Sequence, residues 1–304
     1  MYELTIVGAG PAGMTAAVYA ARKKLNALLI SHNIGGQVLW TAGVENYMGY
    51  QFIEGAELMR KFEEQVKQFP IEIKTGEKVN SLSKLDSGFE VRTDKGGAYQ
   101  AKAVIIATGK RPRQLNVPGE EKLRGRGVTY CAVCDGLLFA GEKVAVIGGG
   151  NSALEAVDDL IKIAEHVYLI SLTPLTGDRV LIDRVQDANN LTMFLEHEVL
   201  EIEGESRVEG LRIRQLNSKK EKDLAVAGIF VEIGLIPNSE PFERIVRLNR
   251  LGEIEVNCVN ETSVPGLFAA GDVTNVPEKQ IVVAAGEGAK AALQAHRYLQ
   301  RLSE

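Results

Sequence analysis

Short, unbroken apolar runs that enter glycine turns punctuate this chain. Leu4–Val7 runs into Gly8-Ala9-Gly10-Pro11-Ala12-Gly13, an alanine-rich stretch to about Lys24, and a second apolar run, Ala27–Ile30. This is strand, glycine turn, helix, strand, the opening of a doubly wound parallel sheet. The grammar returns at Val144–Ile147, Gly148-Gly149-Gly150-Asn151-Ser152-Ala153, a helix to about Ile163, and the strand Val167–Ile170. Val104–Gly109 closes the first unit and Ile229–Gly234 the second, each with a proline-bearing exit. Two copies of one nucleotide-binding architecture are expected.

The stretch beyond Pro241 is too short for a third unit. It carries Gly266–Val273 and an expected helix from Gly286 to Leu302, a strand–turn–helix that would complete the first sheet. The expected fold is therefore α/β, with two Rossmann-like, three-layer domains, the second inserted into the first. Residues 1–114 and 242–304 would form one domain and residues 115–241 the other. The linkers are expected near Gln114–Glu120 and Pro237–Pro241, where proline and polar residues gather.

Composition narrows the functional classes. At 304 residues with 45% hydrophobic and 25% charged, the chain can build two ordinary cores. A net charge of −5 and a pI near 5.6 argue against a nucleic-acid surface. No window reaches the roughly 18 apolar residues of a membrane span. No basic region followed by an apolar stretch opens the chain, so no secretory leader is expected, and a cytoplasmic location is.

The chemistry gathers at three places. Gly8, Gly10 and Gly13, and again Gly148, Gly150 and Ala153, follow the spacing that lets a backbone approach a pyrophosphate at a helix N-terminus. A glycine-rich turn without ligand is the bland alternative, but two copies in this context point to two dinucleotides. Between them lies Cys131-Ala132-Val133-Cys134-Asp135, whose spacing permits a reducible disulfide and a lowered thiol pKa. Half a zinc site is the rival reading. It lacks its other half, because Cys258 is isolated and His32, His166, His197 and His296 form no ligand pair, so no metal is expected. Cys258 is expected as a buried filler. Asp135 fits either a turn or a proton donor beside the thiols.

With these motifs in order, the sequence resembles the low-molecular-weight, bacterial-type thioredoxin reductases over essentially its whole length. The resemblance also rests on Gly35-Gly36-Gln37, Val44-Glu45-Asn46, Ala107-Thr108-Gly109, Gly125–Val128, Gly271-Asp272-Val273 and Lys279-Gln280-Ile281. It implies FAD in the first domain, with Gly8–Gly13 at the pyrophosphate and Gly36, Gln37 and Asn46 on the flavin side. Asp272 would hold the ribityl chain, and Gln280 and Ile281 would offer backbone near the pyrimidine ring. A helix beginning near Gly286 would direct its positive end there. Cys134 would face the flavin, Cys131 would attack a partner disulfide, and Asp135 would manage the proton. The resemblance further implies a homodimer, a nicotinamide donor (NADH or NADPH) and thioredoxin or a thioredoxin-like protein as partner.

One loop departs from that family. NADPH-dependent members carry a basic cluster for the 2′-phosphate where this chain has Leu172 and Thr173, with Asp178 nearby and no acid at Ser171. Arg179 is the one late arginine that could fold back onto a phosphate. His166-Val167, Pro174 and Asp178–Leu181 are more like the flavoprotein component of alkyl hydroperoxide reductase, an NADH enzyme with an additional thioredoxin-like region. NADH is expected to serve at least as well as NADPH. Three other readings stay open: an NADH-dependent reductase of a peroxiredoxin-linked carrier, reduction by ferredoxin or another flavoprotein, and a non-enzymatic FAD-binding module.

Overall fold

The structure is a computed structural model, and residues 1–41 and 43–302 are described. Its first sheet begins with β1 (Tyr2–Ala9), which crosses through α1 (Pro11–Arg22) to β2 (Ala27–Ile34). A longer crossover through α2 (Gly55–Lys67) reaches β3 (Glu72–Thr75), and β4 (Val79–Leu85), β5 (Gly88–Thr93) and β6 (Ala98–Ile106) form a meander. The order is β3-β2-β1-β6-β5-β4, with parallel pairing from β3 to β6. The chain then leaves through β7 (Lys110–Pro112), α3 (Glu120–Leu123), β8 (Val128–Thr129) and the single turn α4 (Ala132–Asp135).

The second sheet repeats the plan. Its strands are β9 (Lys143–Ile147), β10 (His166–Ser171) and β11 (Leu191–Leu195), joined through α5 (Asn151–Leu160) and α6 (Arg179–Val185). An antiparallel meander follows, β12 (His197–Glu203), β13 (Gly210–Gln215) and β14 (Glu221–Ala225), before β15 (Gly228–Val231) closes the parallel order β11-β10-β9-β15-β8. The chain returns through β16 (Leu235–Pro237) to β17 (Leu267–Ala269), parallel to β6, and the final helix α7 (Ile281–Arg301). The expected inserted, doubly wound architecture is therefore what forms.

Each sheet is buried on both faces, which is why its strands read as continuous apolar runs. Met14, Ala17, Leu58 and Ala292 from the helices pack on one face of the first sheet. Leu82, Phe89 and Val91 from the meander pack on the other, against Val7, Ile30 and Ile106. In the second unit Leu154 and Val157 of α5 take the helical face, while Val199, Leu211, Ile213 and Leu224 cover the opposite one.

The final helix starts at Ile281, ahead of the Gly286 expected from the sequence. Gly286 and Gly288 do not mark a start; they lie inside the helix. A Cβ on Gly288 would run into the backbone carbonyl of Ala12 in α1, whereas a Cβ on Gly286 would meet nothing within 4 Å. Gly288 is thus a crossing point of two packed helices. Cys258 also departs from expectation: it is exposed, in a turn whose Asn257 and Asn260 make the structural hydrogen bonds.

These positions predict opposite outcomes for one substitution. Gly288→Ala should destabilise by about 1–3 kcal/mol because backbone, not a flexible side chain, blocks the methyl. Gly286→Ala should stabilise by up to about 1 kcal/mol through helix propensity. Denaturant unfolding of both variants checks this, and equal effects would disprove the packing explanation.

Candidate active site

A cleft of about 1040 Å³ opens at the carboxyl end of the first parallel sheet and is walled on the other side by Thr129–Cys134, by Ser152, Glu155, Ala156 and Asp159 of α5, and by Glu232 at the end of β15. Glycine turns build its floor. A Cβ on Gly8 (φ +107°) would strike the carbonyl of Ala107 across the sheet, and one on Gly13 would strike the Gly8 carbonyl. Gly10 instead has open space where its side chain would be, and Pro11 stands at the first helical position, where no N–H is needed. The Ala9 N–H donates to Ser31 Oγ (3.1 Å), so the serine at the usual acid position ties the turn to the end of β2.

Further elements converge on that floor. Gly35 and Gly36 take positive φ (+104° and +60°) to bring Gln37 over the cleft, where its Nε2 donates to Asp272 Oδ2 at 3.4 Å. Asn46 donates to the side chain of Gln280 (3.1 Å). Glu287, buried in α7, accepts from the Gly271 N–H (2.8 Å) and from Thr274 Oγ1 (3.3 Å), and so fixes the Gly271-Asp272 turn. Burial pushes the Asp272 carboxyl up from its ordinary range. Beside it, Lys110 (2.5 Å) and Lys279 (3.2 Å) both contact Glu253. Burial opposes ionisation of Glu253, but the Lys110 and Asn249 hydrogen bonds outweigh it and hold the carboxyl below its usual range.

These residues fit FAD on the structure's own terms. A backbone cradle without side chains meets a helix N-terminus, as a pyrophosphate requires. The cleft is of ligand size and mostly apolar, with a few convergent polar groups. Gly8, Gly10, Pro11, Ala12, Gly36, Gln37, Ala107, Thr108, Gly109, Gly271, Asp272, Lys279, Gln280 and Ile281 all line it. Gly13 and Gly35 lie behind the lining, and Asn46 reaches it only through Gln280.

Cys131 and Cys134 line the same cleft from the inserted unit and are joined as a disulfide, with Cα atoms 5.3 Å apart. Cys131 caps its turn, accepting the Cys134 N–H at 3.2 Å. Asp135 lies beneath the disulfide, not in the cleft, and is only 3% exposed. One carboxylate oxygen bonds Thr129 Oγ1 and the other has no partner. Burial dominates that balance and pushes Asp135 up to about 6.

The second fingerprint follows the first in detail. A Cβ on Gly148 (φ +146°) would strike the carbonyl of Glu232, and Gly150 caps α5 as Gly10 caps α1. Ala153 is fully buried, and Asn151 exchanges hydrogen bonds with Asp178 (2.7 and 2.9 Å). Leu172 is 61% exposed, and Arg179 turns away to pair with Asp183 at 2.9 Å. The one late arginine of that loop therefore does not fold toward Ser171.

The contacts that tie the units together include a strand ribbon and a cation stack. β7 and β16 pair as an antiparallel ribbon, Lys110–Pro112 with Leu235–Pro237, upstream of the expected Gln114–Glu120 crossing. Arg111 secures the ribbon through Asn238 and Glu240, both at 2.6 Å. The second contact stacks Arg124 of the insertion over Trp40 of the first unit (5.0 Å) and its own Tyr130 (5.8 Å). Sequence reading missed Arg124, Glu287, Lys110–Glu253 and Glu232, because each matters only through a partner distant in the chain.

Comparison with known proteins agrees with this geometry. The family model for pyridine nucleotide-disulphide oxidoreductases matches residues 2–288. The chain is 43% identical over 99% of its length to an alkyl hydroperoxide reductase component of Escherichia coli, and 42% identical to a Bacillus subtilis protein named NADH dehydrogenase. It spans 58% and 59% of those relatives' lengths. A thioredoxin reductase from Streptococcus pyogenes superposes with TM-score 0.94 at 36% identity, covering 99% of each chain. Thioredoxin reductase of Lactococcus lactis in its FR conformation gives 0.69 at 33% identity, covering 99% of this chain and 100% of its own. The chain belongs to the pyridine nucleotide-disulphide oxidoreductase family.

Proposed function

We propose that this enzyme reduces the disulfide of thioredoxin or a thioredoxin-like protein, and that NADH serves it at least as well as NADPH. The observation that carries the reading is the Cys131–Cys134 disulfide in one cleft with the FAD-binding glycines. Residues 1–114 and 242–304 would hold FAD, and residues 115–241 the nicotinamide nucleotide, through Gly148, Gly150, Asn151, Ser152 and Ala153. FAD, when bound, would supply two-electron chemistry between a nicotinamide hydride and the Cys131–Cys134 disulfide.

The chain's own residues do the rest. Cys134 receives the electrons, Cys131 attacks the partner disulfide, and Asp135, neutral up to about pH 6, supplies the proton that a leaving thiolate needs. A disulfide inside the cleft cannot meet a protein, so the insertion turns on the β7–β16 ribbon. The lower superposition score with the Lactococcus neighbour, at equal coverage, supports two orientations of similar units. A second reading is favoured by the alkyl hydroperoxide reductase relatives: a thioredoxin-like carrier that serves a peroxiredoxin. A homodimer is the proposed assembly.

Three outcomes follow from these assignments. Substituting either cysteine by serine should abolish disulfide reduction while leaving flavin bleaching by the donor intact. Only Cys131→Ser should show long-wavelength absorbance of a thiolate against the flavin; the reverse pattern would exchange the two roles.

Asp135 should leave a pH signature. Its folded pKa is raised, so stability present at low pH is lost as pH climbs from about 4 toward about 6 and stays lost above. Asp135→Asn removes that loss, so its stability relative to wild type should rise by about 1 kcal/mol between pH 5 and 8. Turnover should fall about a hundredfold or more, the usual worth of a positioned acid. Unfolding midpoints at the two pH values check the first claim, and a constant gap would remove the assignment.

Donor preference rests on the bare loop at Leu172 and Thr173. Each arginine–phosphate contact is worth roughly 1.5–3 kcal/mol, so lacking two should weaken NADPH about a hundredfold against a clamped site. Measured kcat/KM should favour NADH or be equal, and Leu172→Arg with Thr173→Arg should shift it toward NADPH. A tenfold wild-type preference for NADPH would overturn the assignment.

A further inference from the structure

Glu232 stands at the carboxyl end of β15, on the strand that flanks β9 opposite β10. Connections leave β9 toward β10 on one side, and β15 pairs on the other, so the order reverses above β9. That reversal is where an open parallel sheet lays a dinucleotide across its strand ends. The Gly148–Ala153 turn leaves β9 at this point, and the Glu232 carbonyl is what Gly148 must accommodate. The position that receives an adenosine ribose lies at the end of β10, at Ser171. The end of β15 therefore belongs to the nicotinamide half.

The Glu232 side chain is already turned into that place. It lines the cleft, bonds Ser152 Oγ of the second fingerprint, and accepts the N–H of Ala132 beside Cys131. All these partners lie in the inserted unit, so the arrangement travels with it in any orientation. Burial, opposed by the Ser152 and Ala132 hydrogen bonds, pushes the carboxyl up to about 7, and Glu155 on α5 adds to the rise. Asp159 of α5 lines the same cleft, and Asp135 lies behind the disulfide in α4. No lysine or arginine is among the groups that shift Glu232.

We propose that Glu232 is a specificity-determining residue that selects for the oxidised, cationic nicotinamide at the second fingerprint. Hydride loss turns a neutral dihydropyridine ring into a pyridinium cation, with both electrons leaving in the new bond to the acceptor. A half-buried carboxylate at that ring favours the cation, where water screens the attraction incompletely. The effect favours hydride departure and retains the oxidised product. The inference rests on the reading of residues 115–241 as the nicotinamide unit.

The test is calorimetric titration of oxidised, FAD-loaded enzyme at pH 8 with two probes. One is NAD+; the other is 1,4,5,6-tetrahydro-NAD, whose ring is uncharged and transfers no hydride. Both are repeated with their 2′-phosphorylated forms. Glu232→Gln keeps a carbonyl acceptor for the Ala132 N–H, lets its amide donate to Ser152 Oγ where the carboxylate accepted, and removes the charge. It should weaken the oxidised probe about tenfold and leave the tetrahydro probe within about twofold, as loss of one partly screened charge contact implies. The gap should close at pH 6, where Glu232 and Asp135 carry less charge. Equal weakening of both probes, or of neither, would overturn the assignment to Glu232 while leaving the nucleotide site standing. Failure of wild-type enzyme to bind any of the four probes would remove the nucleotide reading and this inference with it.

Discussion

In both units the carbonyl that ends one strand lies against the first glycine of the neighbouring turn, leaving no room for a Cβ. Ala107 presses on Gly8 and Glu232 on Gly148. Each contact brings a sheet's central strand, its following helix and the strand beside it to a common point, and the nucleotide cradle is what remains open above. Gly13 extends the logic by letting α1 settle on Gly8, and Gly288 lets α7 settle on Ala12. A methyl group at Gly8 or Gly148 would push the turn off the neighbouring strand end, one at Gly13 would push α1 off its own turn, and one at Gly288 would push α7 off α1.

This constraint explains what the sequence made legible. The fingerprints, their strands and the disulfide pair are local, and their spacing carries their geometry. The inserted architecture was legible as well, because the stretch after the second unit is too short for a third and carries a strand–turn–helix that completes the first sheet, as Leu267–Ala269 does beside β6. What stayed hidden is long-range or depends on a helix's neighbour. Gly286 reads as a helix boundary until Ala12 is seen beside Gly288, two residues on. Cys258 reads as filler because its apolar character says nothing about the asparagine-built turn that exposes it. The β12–β14 meander has polar alternation too weak to announce which face it covers.

The acids around the cleft divide by their neighbours. Glu253 is flanked by Lys110 and Lys279 and stays ionised, a buried charge kept by its partners. Asp135 and Glu232 have hydroxyls and a backbone N–H for company, no cations, and burial prevails. The first arrangement gives a fixed charge that holds geometry near Asp272. The second gives groups whose protonation changes near neutrality, one beside the thiols and one beside the nucleotide turn. Of the two, Glu232 lines the cleft and Asp135 is buried behind it.

The contacts between the units are few beside those within each unit. Beyond the covalent crossings, the β7–β16 ribbon offers a few backbone bonds, and the Arg124 stack on Trp40 is a contact of about 0.5–2 kcal/mol. Within each unit, by contrast, whole layers of apolar side chains are buried. Glu120 adds to that contrast by accepting the N–H groups of Leu115 and Asn116 and the hydroxyl of Tyr130, which binds the exit loop to the insertion and not to the first unit. A rigid insertion on a weakly held ribbon can exchange its disulfide for its nucleotide face without disturbing either core, which is the mechanical requirement of a single cleft with two tenants.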